Sequence, residues 1–344
     1  MRILHVVLSR GFAGTERATA EMCNAHAAEH EVSLVIRRDH RGAGGASIRD
    51  HLDPRVTVRE VHPWFPGFGL TRAVRELQPE VIHTHLRKAT RLVARMRPPW
   101  RRRPPCPTIA TLHMWVNGRH FLQMDGLIVI AAWQKRDLAH YRGRIFEINE
   151  SLIPQPRIAA TRRAALRAEC GASDTDFLIG GVGRLAHSKG FDVLIRAFRK
   201  ADSPHAKLVI VGAGRERESL EKLIGDAPVK LLGFRDDAKD FYQAFDLFVS
   251  PSRSEPLGRV LFEALDAGTP VLATRTQGPT EILARLPGTS VPIDDVAAMA
   301  AALSAAQCAP RLRCAVDLTP WHLDNVARET LAAYEALRMA RTQA

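Results

Sequence analysis

The chain has 344 residues, 46% of them hydrophobic and 25% charged, which excludes disordered and fibrous classes and describes an ordinary globular protein. That length is generous for one core and comfortable for two α/β domains. Forty-nine Lys and Arg against 37 Asp and Glu leave a net charge of +12, which favours anionic partners such as nucleotide diphosphates, acidic lipids or nucleic acid without choosing among them.

The elements follow in chain order. Residues 3–8 read as a buried strand, its apolar run far too short for a membrane span or a leader. A helix at 16–30, strands at 32–36 and 56–61, a helix at 71–77 and a strand at 81–85 continue the pattern. A helix at 89–96, strands at 108–113 and 127–130, a helix at 133–141 and a strand at 144–148 complete a first half whose rhythm predicts a parallel, doubly wound sheet. The stretch Ile153-Pro154-Gln155-Pro156-Arg157 interrupts it as a linker. Beyond it, strands at 177–182, 208–211, 229–232, 247–250 and 270–273 alternate with helices at 191–201, 216–224, 238–244 and 259–267, predicting a second Rossmann-like sheet. A long amphipathic helix at 323–339 ends the pattern. The expected division is 1–152 and 153–322, with 323–344 returning to the first domain. Cys23, Cys106, Cys170, Cys308 and Cys314 form no Cys-x-x-Cys unit and read as free thiols in a reducing, cytoplasmic compartment, with no metal site in their spacing.

Several positions carry possible chemistry. After the first strand, Gly11-Phe12-Ala13-Gly14-Thr15-Glu16 lacks the Gly-x-Gly-x-x-Gly spacing of a dinucleotide fingerprint, which argues against a dehydrogenase. His113 ends a strand, so its ring is predicted to project into the cleft rather than the core; His83 and His85, at the end of an earlier strand, read as structural. Strand 177–182 runs into Gly183-Arg184-Leu185-Ala186-His187-Ser188-Lys189-Gly190. There Arg184 can fork two phosphate oxygens and Lys189 can add a point charge, stabilising a departing nucleoside diphosphate without a divalent metal. Gly180, Gly181 and Gly183 are explained by close packing around that loop. Glu255 and Glu263 stand eight residues apart, the first in a loop turned by Pro256 and Gly258, the second in the helix that follows. Eight helical residues span about 12 Å, too far for carboxylates that share a proton and suited to a long ligand gripped at two points. Between them the N–H groups of Gly258, Arg259 and Val260 open the helix toward an anion.

The segment from Glu255 to Glu263, extended by Ala264 and by Gly268-Thr269-Pro270-Val271, resembles the donor-site signature of the retaining GT-B glycosyltransferases of family 4. The Gly183-Arg184-Leu185 and Lys189-Gly190 pieces are similar to that family's diphosphate clamp, and Gly14-Thr15-Glu16-Arg17 to its glycine turn. The resemblance implies two Rossmann-like domains facing a cleft. It implies that Glu255 meets the donor sugar, Glu263 the ribose, and Leu257, Gly258, Arg259 and Val260 the diphosphate with Arg184 and Lys189. Gly14 would approach sugar and phosphate, and His113 would orient the sugar at the reacting face. Two departures blur donor identity: Gln277-Gly278-Pro279-Thr280-Glu281 stands for the usual Gly-Gly-x-Pro-Glu, and Asn149-Glu150-Ser151-Leu152 for the usual hinge Asn-Gly-Val-Asp.

The expected function is therefore transfer of a hexose from a nucleoside diphosphate sugar, UDP preferred to GDP, to a glycan or lipid-linked acceptor in lipopolysaccharide or other cell-surface polysaccharide synthesis. No cofactor and no metal are expected. Arg95, Arg97, Arg101, Arg102 and Arg103, interleaved with prolines and Trp100, predict a basic loop that touches anionic membrane from the cytoplasmic side, and the aromatic stretch His62-Pro63-Trp64-Phe65-Pro66-Gly67-Phe68 predicts a second exposed loop. A catalytically silent nucleotide-sugar binder of the same fold is the alternative. Nucleic acid is disfavoured by three dispersed tyrosines and the lack of a known binding module.

Overall fold

The short apolar runs fold as parallel strands, because an α/β layer covers both faces of each strand and removes any need for polar alternation. The structure, a computed structural model, describes residues 1–42, 45–96, 106–116 and 118–343. The chain divides into two units, Met1–Ser151 with Thr319–Ala344, and Leu152–Leu318; the sequence placed these boundaries at 152 and 322.

Unit 1 contains β1 (Arg2–Val7), α1 (Gly14–His26), β2 (Glu31–Arg37), β3 (Thr57–Val61), α2 (Pro66–Leu77), β4 (Val81–His85), α3 (Leu86–Arg95), β5 (Thr108–Leu112), β6 (Gly126–Val129) and β7 (Arg144–Glu147). Unit 2 contains α4 (Ala160–Cys170), β8 (Phe177–Val182), α5 (Phe191–Ala201), β9 (Ala206–Val211), α6 (Arg217–Ile224), β10 (Val229–Gly233), α7 (Ala238–Ala244) and β11 (Leu247–Ser250), then α8 (Arg259–Asp266), β12 (Val271–Thr274), α9 (Gln277–Leu283), β13 (Thr289–Val291) and α10 (Val296–Cys308). The last helix, α11 (Leu323–Thr342), belongs to unit 1. Among the described residues the strand orders are β3-β2-β1-β4-β5-β6-β7 and β10-β9-β8-β11-β12-β13, parallel throughout. Each sheet reverses direction once, between β1 and β4 and between β8 and β11. No helix among the described residues is long and apolar enough to cross a membrane.

In unit 1, Leu4, Val6 and Ile82 face Leu70 and Val74 of α2 and Val93 of α3. On the other face Ile3, Val7 and Val81 meet Cys23 of α1 and Val326, Tyr334 and Leu337 of α11. That second face also holds polar side chains. His5 on β1 pairs in register with His83 on β4, and His85, two residues on, shares the face by strand alternation. In unit 2, β8 and β9 pack on Leu194 and Phe198 of α5 and Met299 and Leu303 of α10. Gly180 lies under the ring of Phe245, which a Cβ would approach to 2.1 Å.

Four elements escape the sequence pattern. Almost every residue of α10 is small or apolar, so no polar face marks its period, while α9 opens on a Gly-Pro pair tolerated inside a first turn. The strand β13 has only three residues, and α4 is an arginine-rich surface helix. The helix expected at 133–141 is instead a 3-10 stretch, Ala132–Leu138, where Gln134 bonds to Ile130 N–H at 2.7 Å and to the carbonyls of Leu112 and Met114 at 2.7 and 2.9 Å. Pro66 starts α2 five residues before the expected position, as proline at N1 allows, so the aromatic stretch is half loop and half first turn. Arg95 closes α3 rather than opening a loop, and Arg97, Arg101, Arg102 and Arg103 lie outside the described residues.

Burial sets a pH dependence. It pushes the imidazole of His5 down to about 3 and that of His26 to about 4, and holds His83 and His85 well below the ordinary value. These folded values are depressed, so the unfolded chain takes up protons near pH 6.5 that the native fold refuses. Stability is complete above about pH 6.5 and is lost as pH falls from there toward about 4. Urea midpoints should decline steadily over that window; a midpoint constant from about pH 7 to about pH 4.5 would contradict this account.

Candidate active site

In unit 2 the expected site residues gather where the strand order reverses. The helix after β8, α5, packs on one face of the sheet, and the buried Leu261 and Phe262 of α8, after β11, lie on the other. The loops leaving β8 and β11 therefore part at the strand ends, the place where open α/β sheets bind ligands. The first loop is pinned by close backbone approach. Leu185 N–H donates to the Ala213 carbonyl at 2.9 Å, and a Cβ at Gly212 or Gly214 would stand 1.8 Å from the Gly183 oxygen or 2.2 Å from the Leu185 oxygen. Between these fixed neighbours Arg184 stands exposed.

The second loop is locked to the first. Gly190 sits at φ 65°, where a Cβ would meet the Pro251 carbonyl at 2.0 Å. Arg253 donates to the His187 carbonyl at 2.7 Å and forks onto Asp192 with two bonds of 2.8 Å, while its backbone N–H reaches Ser188 at 2.8 Å. The outcome is an ion pair: Lys189 Nζ donates to Glu255 Oε2 at 2.5 Å, with the two side chains 23% and 12% exposed. The resemblance assigned these groups to phosphate and sugar; in the free protein each answers the other.

Gly258, at φ 97°, caps α8 in the left-handed conformation that favours glycine. The N–H groups of Arg259 and Val260 lie in the first turn of α8, at the positive end of the helix dipole. Leu257 is buried, and the turn is backed by α9: Gly278 N–H donates to the Glu255 carbonyl at 3.0 Å, and a Cβ at Gly278 would stand 2.2 Å from the Leu257 oxygen. Glu263, along α8, accepts from the buried Tyr242 hydroxyl at 2.9 Å and lies 3.8 Å from Arg259 Nε. Burial, reinforced by the Glu263 charge, holds the Tyr242 phenol well above its ordinary value, so it remains a donor.

In unit 1, Gly14 begins α1, and Glu16 accepts the Ala13 N–H at 3.0 Å. A Cβ at Gly11 or Gly14 meets nothing within 4 Å, so protein packing does not require glycine at either position. His113 follows β5, and here the structure corrects the sequence. Its side chain is only 7% exposed, because Nδ1 lies 2.8 Å from Glu150 Oε1 and Nε2 lies 3.3 Å from His85 Nδ1. A small cavity of about 40 Å³ lies against Thr19, His83, His85, Thr111, His113 and Glu150. His5, His83 and His85 place ring nitrogens within 4.8 Å of one another. All of these nitrogens except His5 Nε2 already have protein partners, Tyr334 and Thr111 hydroxyls for His83 at 2.6 and 2.7 Å and His5 for His85 at 3.0 Å, so shared protons account for the cluster.

The sequence pattern did not single out Arg253, Gly212, Gly214 or Tyr242, and it marked Glu150 only as part of the hinge segment 149–152. A Gly-x-Gly directly after β9 was the available signal for two of them; Arg253 and Tyr242 act through contacts that spacing does not reveal.

Two family descriptions match: Glycosyl transferases group 1 over residues 176–307 and Glycosyltransferase Family 4 over residues 12–146. The lipopolysaccharide core biosynthesis glycosyltransferase LpsD of Rhizobium meliloti (strain 1021) is 30% identical over 82% of this chain and 81% of its own. LpsE of the same organism is 38% identical over 36% of each chain. The crystal structure of HepE from Anabaena, in complex with UDP and glucose, superposes with a TM-score of 0.73 at 19% identity, covering 100% of this chain and 98% of HepE. The chain belongs to the family 4, group 1 glycosyltransferases. It has the GT-B fold of two Rossmann-like units, and it is an enzyme that transfers sugars.

The ion pair in unit 2 has a measurable consequence. Lys189→Ala strands a largely buried carboxylate and should cost about 1–3 kcal/mol. Removing both partners should cost less than the sum of the single changes, by about 0.5–3 kcal/mol. Urea denaturation of the four proteins measures this coupling, and strict additivity would show the pair to be inert.

Proposed function

We propose that the protein is a retaining hexosyltransferase that uses a nucleoside diphosphate sugar, UDP-linked in preference to GDP-linked, and a glycan or glycolipid acceptor of cell-surface polysaccharide synthesis such as lipopolysaccharide core. One observation carries the reading: the loop bearing Arg184 and Lys189 and the glycine-led start of α8 meet at the switch point of unit 2. The relative LpsD, a lipopolysaccharide core enzyme, supports the acceptor class, and HepE, solved with UDP and glucose, supports the donor class.

The residues divide the work by charge. Arg184 and Lys189 hold the diphosphate with the N–H groups of Gly258, Arg259 and Val260, above the buried Leu257, and supply cationic stabilisation to the leaving group without a divalent metal. A diphosphate competes with Glu255 for Lys189, and the freed carboxylate accepts donor-sugar hydroxyls in exchange. Glu263, oriented by Tyr242, accepts from the ribose. In unit 1, Gly14 is assigned to the donor sugar, and His113 accepts from a hydroxyl at the reacting face. Free UDP at about 100 times its Kd should add about 2.7 kcal/mol of stability, and GDP less. NMR of the transfer product should show the donor's anomeric configuration kept, and inversion would refute retention. Glu255→Ala should abolish transfer; full activity in that variant would remove Glu255 from the site.

Unit 1 also carries a surface suited to an anionic membrane, on the cytoplasmic side. Trp64, Phe65 and Phe68 are 83%, 74% and 80% exposed at the start of α2, next to Gly67, whose Cβ position lies 3.8 Å from Leu92 of α3. Arg87, Arg91 and Arg95 share one face of α3 at four-residue spacing, and together they depress His120, after burial itself. Each such arginine contributes about 1 kcal/mol at an anionic surface. Replacing all three with glutamine should weaken vesicle binding about 100-fold. Equal cosedimentation with neutral and anionic vesicles would remove the electrostatic contribution.

A further inference from the structure

Unit 1 contains a hydrogen-bonded line of side chains that includes Glu150. His5 Nδ1 lies 3.0 Å from His85 Nε2, His85 Nδ1 lies 3.3 Å from His113 Nε2, and His113 Nδ1 lies 2.8 Å from Glu150 Oε1. The rings of His5 and His85 are nearly parallel, and His83 packs 4.2 Å from His85, itself fixed by the hydroxyls of Tyr334 and Thr111. Three strands and the segment after β7 thus converge on one imidazole.

Proton placement follows from one constraint. An ionised carboxylate only accepts, so Glu150 requires the proton of His113 on Nδ1. Nε2 of His113 then bears a lone pair, and His85 must donate to it from Nδ1. Nε2 of His85 is in turn an acceptor and takes the Nδ1 proton of His5. At the far end His5 Nε2 is buried and has no hydrogen-bond partner among the described residues. Each ring is thereby held in one tautomer, so the line orients rings.

We propose that Glu150 and His85 are positioning residues that hold His113 as its Nδ1–H tautomer, leaving Nε2 as an exchangeable acceptor for a substrate hydroxyl. The two distances separate the roles. The 2.8 Å contact to Glu150 is a full hydrogen bond and fixes the tautomer, whereas the 3.3 Å contact from His85 is long for one and yields to a better donor. A carboxylate that fixes the imidazole tautomer is a known requirement of hydrolytic triads, where its loss is severe. The proposal rests on the reading of His113 as the group that faces the sugar.

The test is a long-range proton–nitrogen NMR spectrum of the full chain labelled with ¹⁵N-histidine, at about pH 8 and above the ordinary imidazole range, with His113→Asn used to assign its signal. The wild-type spectrum should show His113 protonated on Nδ1. Glu150→Ala should move the proton to Nε2 and lower kcat on the order of 10- to 100-fold, with donor KM little changed. Glu150→Gln, whose amide oxygen still accepts, should restore the tautomer and most of the rate. A wild-type His113 protonated on Nε2, or a Glu150→Ala variant unchanged in tautomer and rate, would overturn the proposal, and the wild-type spectrum decides even if that variant fails to fold. Transfer at the wild-type rate by His113→Asn would instead sink the sugar-facing role of His113, an outcome distinct from the tautomer result.

Discussion

Between β8 and β11 the direction in which strands are added to the sheet reverses, and the connections that leave them must go to opposite faces. Every group assigned to the diphosphate depends on that divergence. It opens a gap at the strand ends into which α5 and α8 both present their first turns. The gap is narrow because glycine lets backbone lie on backbone: Gly190 rests on Pro251, Gly212 on Gly183, Gly214 on Leu185 and Gly278 on Leu257. Arg253 closes the arrangement by bonding the loop after β8 from the loop after β11. An exposed arginine and a half-buried lysine are thereby held on a backbone with little freedom, so the entropy of arranging them is lost in folding rather than in binding.

Unit 1 uses the same reversal between β1 and β4 for a different end. There the register of the two strands sets His5 beside His83, and alternation brings His85 onto the same face beneath α1 and α11. Burial keeps these rings neutral, and neutral imidazoles each offer one donor and one acceptor, which is what allows them to be joined in a line. Its outermost histidine, His113, reaches the carboxylate that follows β7.

The chemistry of this chain is concentrated in side chains that short-range patterns expose. Gly183-Arg184-Leu185 with Lys189-Gly190, and Glu255 with Gly258 and Glu263, announce an anion site because strand ends, glycines and cations lie close in sequence. The strands were legible for a similar reason, each being a short apolar run. Less legible were α10, whose alanines show no period, and α9, which begins with residues that usually make turns. The surroundings of His113 could not be read at all, since Glu150 and His85 lie 37 and 28 residues away and meet it only through strand order.

By itself, then, the sequence determined which residue types stand at strand ends and helix starts, since these depend on neighbours within a few positions. Tertiary structure alone decided which of those ends adjoin. Pairing Lys189 with Glu255, placing Arg253 across two loops and engaging both nitrogens of His113 all require contacts between segments 28 to 66 residues apart. No local pattern encodes such contacts; the order and register of parallel strands produce them.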